Sequence, residues 1–163
     1  MADMRIIGVD PGLNITGIGI IQVIDGTSCR YVHHSVVRTK PVDDLALRLV
    51  AIRDGVRAAA VQWEAVSSAI EASFVGNNAR SALALGQARA AAILGLTEAG
   101  LKVCEYAPTL VKQTVAGYGR SEKSQVGRMV AMQLGLANPP TPEDAADALA
   151  IAITHWAHSR LPG

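Results

Sequence analysis

Four carboxylates stand where apolar segments of the chain end or begin, and together they have the chemistry of a divalent-metal site. Asp10 closes the run I-I-G-V-D before a Pro-Gly pair, and Glu71 closes S-S-A-I-E. Asp144 and Asp147 open the apolar stretch D-A-A-D-A-L-A-I-A-I-T. An acid at the end of a buried element is costly to desolvate unless a cation or hydrogen bonds compensate its charge. Four such acids favour a metal-dependent enzyme over a binding module.

The spacing of Asp144 and Asp147 puts both side chains on one face of a helix. Three residues correspond to about 300° of rotation and about 4.5 Å of rise. For this pair alone, a solvated first turn that complements the helix dipole is the better interpretation. Asp10 and Glu71 favour the metal site, because neighbouring strands would direct both acids from one sheet edge toward that helix.

The donor atoms of the four acids indicate which metal the site would hold. Oxygen ligands without Cys or His select hard cations, here Mg²⁺ or Mn²⁺. Four carboxylates suffice for two ions about 3.5–4 Å apart, the arrangement that hydrolyses phosphodiesters. His155 lies about 16 Å beyond Asp144 along a helix, too far to share its ion. We interpret His155 and His158 as structural or surface residues.

The charge balance is compatible with a polyanionic partner. The 163-residue chain has 15 Lys and Arg against 14 Asp and Glu. If the four acids bind metal, the rest of the chain carries five more bases than acids, the sign that nucleic acid requires. An ordinary solvated helical face is the alternative for the most basic segment, 112–128. Its bases are Lys112, Arg120, Lys123 and Arg128, against Glu122 alone.

The composition predicts one globular domain, residues 1–163, in the cytoplasm. Half of the residues are hydrophobic, yet no stretch approaches the roughly 18 apolar residues of a membrane span. The N-terminal apolar run is too short for a signal peptide. Cys29 and Cys104 show no paired or metal-binding spacing, so we expect reduced thiols.

Hydrophobic periodicity predicts an α/β fold with a five-stranded mixed sheet and helices on both faces. The first three strands are joined too closely for crossovers, so they are antiparallel, while the last two follow helices and are parallel. The predicted strands are 5–10, 16–24, 28–38, 67–71 and 101–107. The predicted helices are 43–63, 77–99, one from Pro108, 121–134 and one from about Glu143.

The helix predicted over 77–99 is apolar almost all round, because only Arg89 interrupts the run from Ala88 to Leu96. A helix of this kind is buried on more than one side. We consider a homodimer interface for its second side, with a central core helix as the alternative.

Several motifs, in this order, resemble one family. They are I-I-G-V-D-P-G, A-I-E, G-Q-A-R, V-K-Q-T-V-A-G-Y-G, E-K-S-Q-V and D-A-A-D-A-L-A-I-A-I-T-H, and they extend from about Met4 to His155. The chain resembles the RuvC family of bacterial Holliday-junction resolvases, which belongs to the RNase H-like superfamily. The resemblance implies an RNase H-like fold and a homodimer that nicks two opposed strands of a four-way DNA junction during recombination and repair. It also implies cooperation with the RuvA–RuvB branch-migration complex.

The resemblance also implies roles for individual residues. Its metal-binding and catalytic acids fall on Asp10, Glu71, Asp144 and Asp147, with Mg²⁺ or Mn²⁺ as cofactor and two ions per subunit. Lys112 and Lys123 match basic positions near the scissile phosphate and the DNA backbone. Phe74, the only Phe of the chain, matches an aromatic that stacks on an unpaired base, a contact worth about 1–3 kcal/mol. Arg80 is a further candidate phosphate contact.

Three other functions are compatible with parts of the sequence. An ATP-binding protein of the actin and sugar-kinase superfamily would need two such domains, and 163 residues supply one. Another RNase H-like nuclease, acting on RNA or duplex DNA, is the principal alternative, and the resemblance argues against it. A non-enzymatic junction-binding protein would have no need for all four acids.

Overall fold

The computed structural model describes residues 4–72, 78–117 and 123–159. Five strands and five helices lie in these ranges. The strands are β1 (Met4–Asp10), β2 (Ile15–Val23), β3 (Cys29–Arg38), β4 (Ser67–Glu71) and β5 (Val103–Tyr106). The helices are α1 (Leu45–Gln62), α2 (Ala79–Glu98), α3 (Pro108–Ala116), α4 (Lys123–Leu134) and α5 (Glu143–Ser159).

The sheet confirms the predicted mixed topology, with strand order β3-β2-β1-β4-β5. β1, β2 and β3 pair antiparallel, whereas β4 and β5 continue the sheet parallel to β1. The β2–β3 turn is closed by Asp25, whose carboxylate accepts hydrogen bonds from the backbone N–H groups of Thr27 and Ser28 at 2.7 and 2.9 Å. Helices supply the longer connections that parallel strands require.

Alternating side chains of the sheet build two cores, one on each face. Ile7, Val9 and Ile18 belong to the core beneath α1 and α2. Ile6 and Ile21 belong to the core beneath α3, α4 and α5. Helices therefore cover both faces, as predicted. No helix within the described ranges is long and apolar enough to span a membrane.

Glycines on one face of the sheet allow α5 to lie directly against β1 and β2. A Cβ atom built on Gly19 would be 2.6 Å from the backbone nitrogen of Leu149. Cβ atoms on Gly8 and Gly17 would overlap the carbonyl oxygens of Ala148 and Asp144. These three positions exclude any larger residue, and they bring the start of α5 to the edge of the sheet where β1 ends.

Helix α2 is buried on one side only. Ala88, Ala92 and Leu96 are completely buried in the core shared with α1. On the opposite side, the side chains of Leu83 and Leu94 are 64% and 54% exposed. Within a single chain, α2 is therefore not a central core helix, because one of its apolar sides is exposed.

Candidate active site

The ends of β1 and β4 place Asp10 and Glu71 side by side. The parallel register pairs Val9 with Ile70, so the next residue of each strand is one of the two acids. Gly8 lies against α5, and Asp10, two residues later, faces the same side of the sheet. On β4, Ala69 packs in the core beneath α5, and Glu71 follows it on that face.

Helix α5 brings Asp144 and Asp147 to the same edge. The carbonyl of Asp144 lies against Gly17, which pairs with Asp10, whereas Ala152 lies against Gly8. The helix therefore runs antiparallel to β1 and begins where that strand ends. Both of its aspartates are half-buried. Two strands and one helix thus bring together four acids that are far apart in the sequence.

These four carboxylates line one cleft of about 330 Å³. Helices α3 and α4 form the opposite wall, where Lys112 is half-buried among apolar neighbours. Sequence analysis predicted all four acids and Lys112 as site residues, and the tertiary structure places all five here. The residues lining the cleft are Asp10, Glu71, Pro108, Val111, Lys112, Val126, Glu143, Asp144, Asp147 and Ile151.

The donor atoms of the cleft fit a hard divalent cation, because they are carboxylate oxygens without Cys or His. Within the described ranges, no three or more His, Cys, Asp or Glu side chains form a group arranged around a single ion. Mg²⁺ does not require such a cage, since it keeps several waters and is typically bound by one or two carboxylates plus substrate phosphates. The residues present therefore suit an open site that substrate completes.

Of the remaining predicted residues, Arg80 does not line this cleft. Arg80 is exposed in the first turn of α2, beyond the N-cap Asn78, whose side chain accepts a hydrogen bond from Ser81 N at 3.1 Å. Lys123 is the first residue of α4. Phe74 lies outside the described residues.

Glu143 lines the cleft although sequence analysis did not select it. Its signal was its position immediately before Asp144, in the first turn of the helix. The D-x-x-D spacing drew attention to the two aspartates instead, and only the packing of α4 against α5 shows that Glu143 shares their cleft.

His155 has the structural role that its distance from Asp144 predicted. Its side chain is 2% exposed, and burial lowers its pKa below the usual 6.5. The two ring nitrogens contact the hydroxyls of Ser67 and Tyr106. Sequence analysis did not identify either partner, because both belong to strands far from α5 in the chain.

Comparison with known proteins relates this cleft to one family. The family model described as crossover junction endodeoxyribonuclease RuvC matches residues 6–155. A protein of that name from Burkholderia vietnamiensis is 50% identical over 156 residues, which cover 96% of this chain and 84% of the relative. One from Chloroflexus aggregans is 45% identical over 152 residues, covering 93% of this chain and 92% of the relative.

A solved structure gives the same relationship in three dimensions. Thermus thermophilus RuvC in complex with Holliday junction substrate superimposes with a TM-score of 0.89 at 35% identity, covering 96% of this chain and 95% of that one. The chain therefore belongs to the RuvC family of crossover junction endodeoxyribonucleases.

Proposed function

We propose that this protein resolves four-way DNA junctions by metal-dependent nicking of two opposed strands, in recombination and DNA repair. The observation that carries the proposal is the convergence of Asp10, Glu71, Asp144 and Asp147 in one cleft opposite Lys112. Family membership supports the reaction, and a 35% identical relative has been solved with a Holliday junction substrate.

The carboxylates of the cleft would hold Mg²⁺ or Mn²⁺, two ions per subunit. When bound, such a pair of ions supplies an activated water and stabilises the leaving oxygen of a phosphodiester. The protein fixes the carboxylates on two strand ends and one helix, so that they do not need to reorganise when the DNA strand enters. Lys112 places a cation on the opposite wall, where it stabilises the charge that develops on the phosphate oxygens.

DNA binding beyond the cleft depends on basic and aromatic residues. Lys123 at the start of α4 and Arg80 in the first turn of α2 contact phosphates of the junction. Phe74, between β4 and α2 in the sequence, stacks on a base that the junction leaves unpaired. Support for these roles comes from the excess of positive charge outside the acid set and from the resemblance of the motifs.

The protein acts as a homodimer through α2. Its outer face carries Leu83, Gly86, Ala90 and Leu94, which recur at helical spacing and are all exposed. An exposed apolar stripe of this kind is typical of an interface, and a twofold interface is self-complementary. Two copies would supply the two active sites that paired nicks require. The single domain works in the cytoplasm, beside the RuvA–RuvB complex.

The decisive experiment compares a labelled four-way junction with linear duplex DNA and an RNA–DNA hybrid, each with Mg²⁺, Mn²⁺ or EDTA. We expect paired nicks at opposed positions of the junction, in both metals and never in EDTA. Equal cutting of junction and duplex would contradict the proposal. Preferential cutting of the hybrid would favour the alternative of a nuclease that acts on RNA.

A variant pair tests the role of the acids. Asp10→Asn should abolish cleavage while junction binding in EDTA persists, because the amide keeps the size of the side chain but removes the ligand charge. Asp54→Asn is the control, since Asp54 lies on α1 in an ion pair with Arg57 at 3.1 Å, on the other face of the sheet. Equal activity of the two variants would contradict the assignment.

A further inference from the structure

Tyr106 ends β5 immediately beside Glu71. The register of the parallel strands pairs these two residues, and the carbonyl of Tyr106 accepts a hydrogen bond from the N–H of Ala72 at 2.8 Å. Ala72 directly follows Glu71, so this bond fixes the backbone on the C-terminal side of that acid. The main chain of Tyr106 thus holds the end of β4.

The side chain of Tyr106 holds α5. Its hydroxyl lies 2.8 Å from Nδ1 of His155, and Nε2 of the same ring lies 2.6 Å from Oγ of Ser67. His155 is buried on α5, and Ser67 is the first residue of β4. The imidazole therefore forms a bridge from the helix that carries Asp144 to the two strands beneath it.

A third connection reaches α3, the helix of Lys112. Nε2 of His158 lies 2.9 Å from the hydroxyl of Thr114, and the ring of His158 is 6.3 Å from that of Tyr106. Tyr106 is also separated from the first residue of α3 by Ala107 alone. Tyr106 is thus connected to β4 and α5 by its hydrogen bonds, and to α3 by the short link through Ala107.

Packing constrains the axial position of α5 less than it constrains the distance of the helix from the sheet. Close contact over Gly8 and Gly19 sets the distance between helix and sheet. It constrains sliding along the helix axis less, because van der Waals attraction is not directional. Hydrogen bonds are directional, so the bonds of His155 fix the axial position of the helix. A misplacement of 1 Å can cost about 100-fold in rate.

We propose that Tyr106 is a positioning residue for phosphodiester cleavage, which holds Glu71 and the α5 aspartates in one arrangement through Ala72 and His155. This inference rests on the proposed function. Tyr106 touches neither substrate nor metal in this scheme and acts only through its two partners.

The alternative is that these buried polar groups only satisfy one another's hydrogen-bonding needs and do not position the acids. A second tyrosine–histidine contact in the chain provides a control for this alternative. The hydroxyl of Tyr31 lies 2.9 Å from Nδ1 of His34, which is the same tyrosine–histidine contact. Both of its residues belong to β3 at the far edge of the sheet. Loss of that hydroxyl should affect packing as loss of the Tyr106 hydroxyl does, without reaching the acids.

The experiment compares Tyr106→Phe and Ser67→Ala with Tyr31→Phe in the full chain. It measures the single-turnover cleavage rate at saturating junction, the junction Kd in EDTA, and Mn²⁺ affinity by electron paramagnetic resonance. For Tyr106→Phe we expect a cleavage rate about tenfold lower, an unchanged Kd and weaker Mn²⁺ binding. Ser67→Ala should change the same quantities in the same direction, and Tyr31→Phe should match the wild type.

Wild-type rate and Mn²⁺ affinity in Tyr106→Phe would overturn the inference, as would an equal loss in Tyr31→Phe. If Tyr106→Phe does not fold, Ser67→Ala decides in the same way. Should the wild-type protein fail to cut junctions, the proposed function fails, and Mn²⁺ affinity still reports on Tyr106. Weaker Mn²⁺ binding by the variant would then support positioning, and unchanged binding would refute it.

Discussion

Lys112 faces the acids of the cleft from α3, and its surroundings explain why a lysine is useful there. It is half-buried beside Pro108 and Val111, so water screens its charge less than on an open surface. A charge held in place before the reaction can stabilise a transition state without reorganisation. A half-buried lysine can therefore stabilise the transition state more than a fully solvated lysine would.

Lys112→Met should lower the cleavage rate by about 100-fold, because methionine keeps most of the side-chain length and removes the charge. Junction binding should weaken only slightly, since one phosphate contact is lost among several. Lys102→Met is the matched control: Lys102 is exposed and precedes the opposite end of β5. Rate measurements at saturating junction separate the effect on cleavage from the effect on binding. Similar rates for both variants would show that Lys112 has no part in the mechanism.

His155 makes stability depend on pH. Burial lowers its pKa below the usual 6.5, so the folded protein resists protonation of the ring where the unfolded chain accepts it. The stabilisation is therefore fully present above about pH 7.5 and is lost as pH falls through the interval between 6.5 and the lower folded pKa. The hydroxyls of Ser67 and Tyr106, which contact the ring, do not change charge in this interval.

Urea unfolding of the wild type and of His155→Gln between pH 5 and 8 tests this linkage. The wild type should lose free energy of unfolding more steeply toward acid than the variant. His33 and His34 also have lowered pKa values from burial, but they are present in both proteins and cancel in the difference. Parallel curves would show that His155 does not contribute.

At the scale of elements, the contact of α5 with the sheet determines the site. The helix supplies two of the four acids, and its distance from β1 and β2 is set by glycines in both strands. A glycine lacks the Cβ that would push the helix outward, and the pairing of Gly8 with Gly19 extends this smooth surface across both strands.

Gly19→Ala tests this contact. The added methyl group would lie 2.6 Å from the nitrogen of Leu149, which is backbone and cannot turn away. We expect a loss of about 1–3 kcal/mol in the free energy of unfolding and a lower cleavage rate, measured by thermal melting and by the junction assay. Gly26→Ala is the control, because nothing lies within 4 Å of its Cβ position, and a comparable loss there would contradict the explanation.

Most elements could be predicted from the sequence because their patterns are local. The apolar runs of β1 and β2 and the helical periodicity of α1 depend on neighbours a few residues away. The directions of the strands followed from connection length, since short turns give antiparallel pairs. Glu143 was not predicted, because it does not belong to the D-x-x-D spacing that pointed to Asp144 and Asp147. Its place in the cleft depends on the packing of α4 against α5.

At the scale of the whole molecule, the outer face of α2 is the feature that a single chain leaves unexplained. Leu94 is 54% exposed within a stripe that includes Leu83 and Ala90. Exposed apolar side chains in a row at helical spacing lower the free energy when a second copy covers them. The same interface would fix the distance between two active sites.

Leu94→Glu should convert the proposed dimer to a monomer, because a charge in the exposed apolar stripe of α2 would have to be buried when a second copy covers it. Sedimentation velocity at micromolar concentration measures the change, and paired nicking of the junction should become single nicking. Met132→Glu is the control: Met132 is 73% exposed on α4, across the sheet from α2. A wild-type monomer, or dissociation by Met132→Glu instead, would place the interface elsewhere.

The sequence by itself determined which groups could perform the chemistry and in which elements they lie. The four acids could be selected because charge at the end of an apolar segment is a local signal. The motifs specified the family, and the resemblance to it added Lys112. The mixed sheet followed from periodicity and loop length for the same reason.

Only the tertiary structure decided which of these groups meet. The cleft exists because β1 and β4 end together, because α5 lies on the glycines of β1 and β2, and because α3 places Lys112 opposite the acids. The bonds of Tyr106 and His155 belong to this level too, since residues 49 positions apart come into contact only when the sheet and the helix pack. Contacts of that kind are set by the packing of the whole chain, which no local pattern in the sequence records.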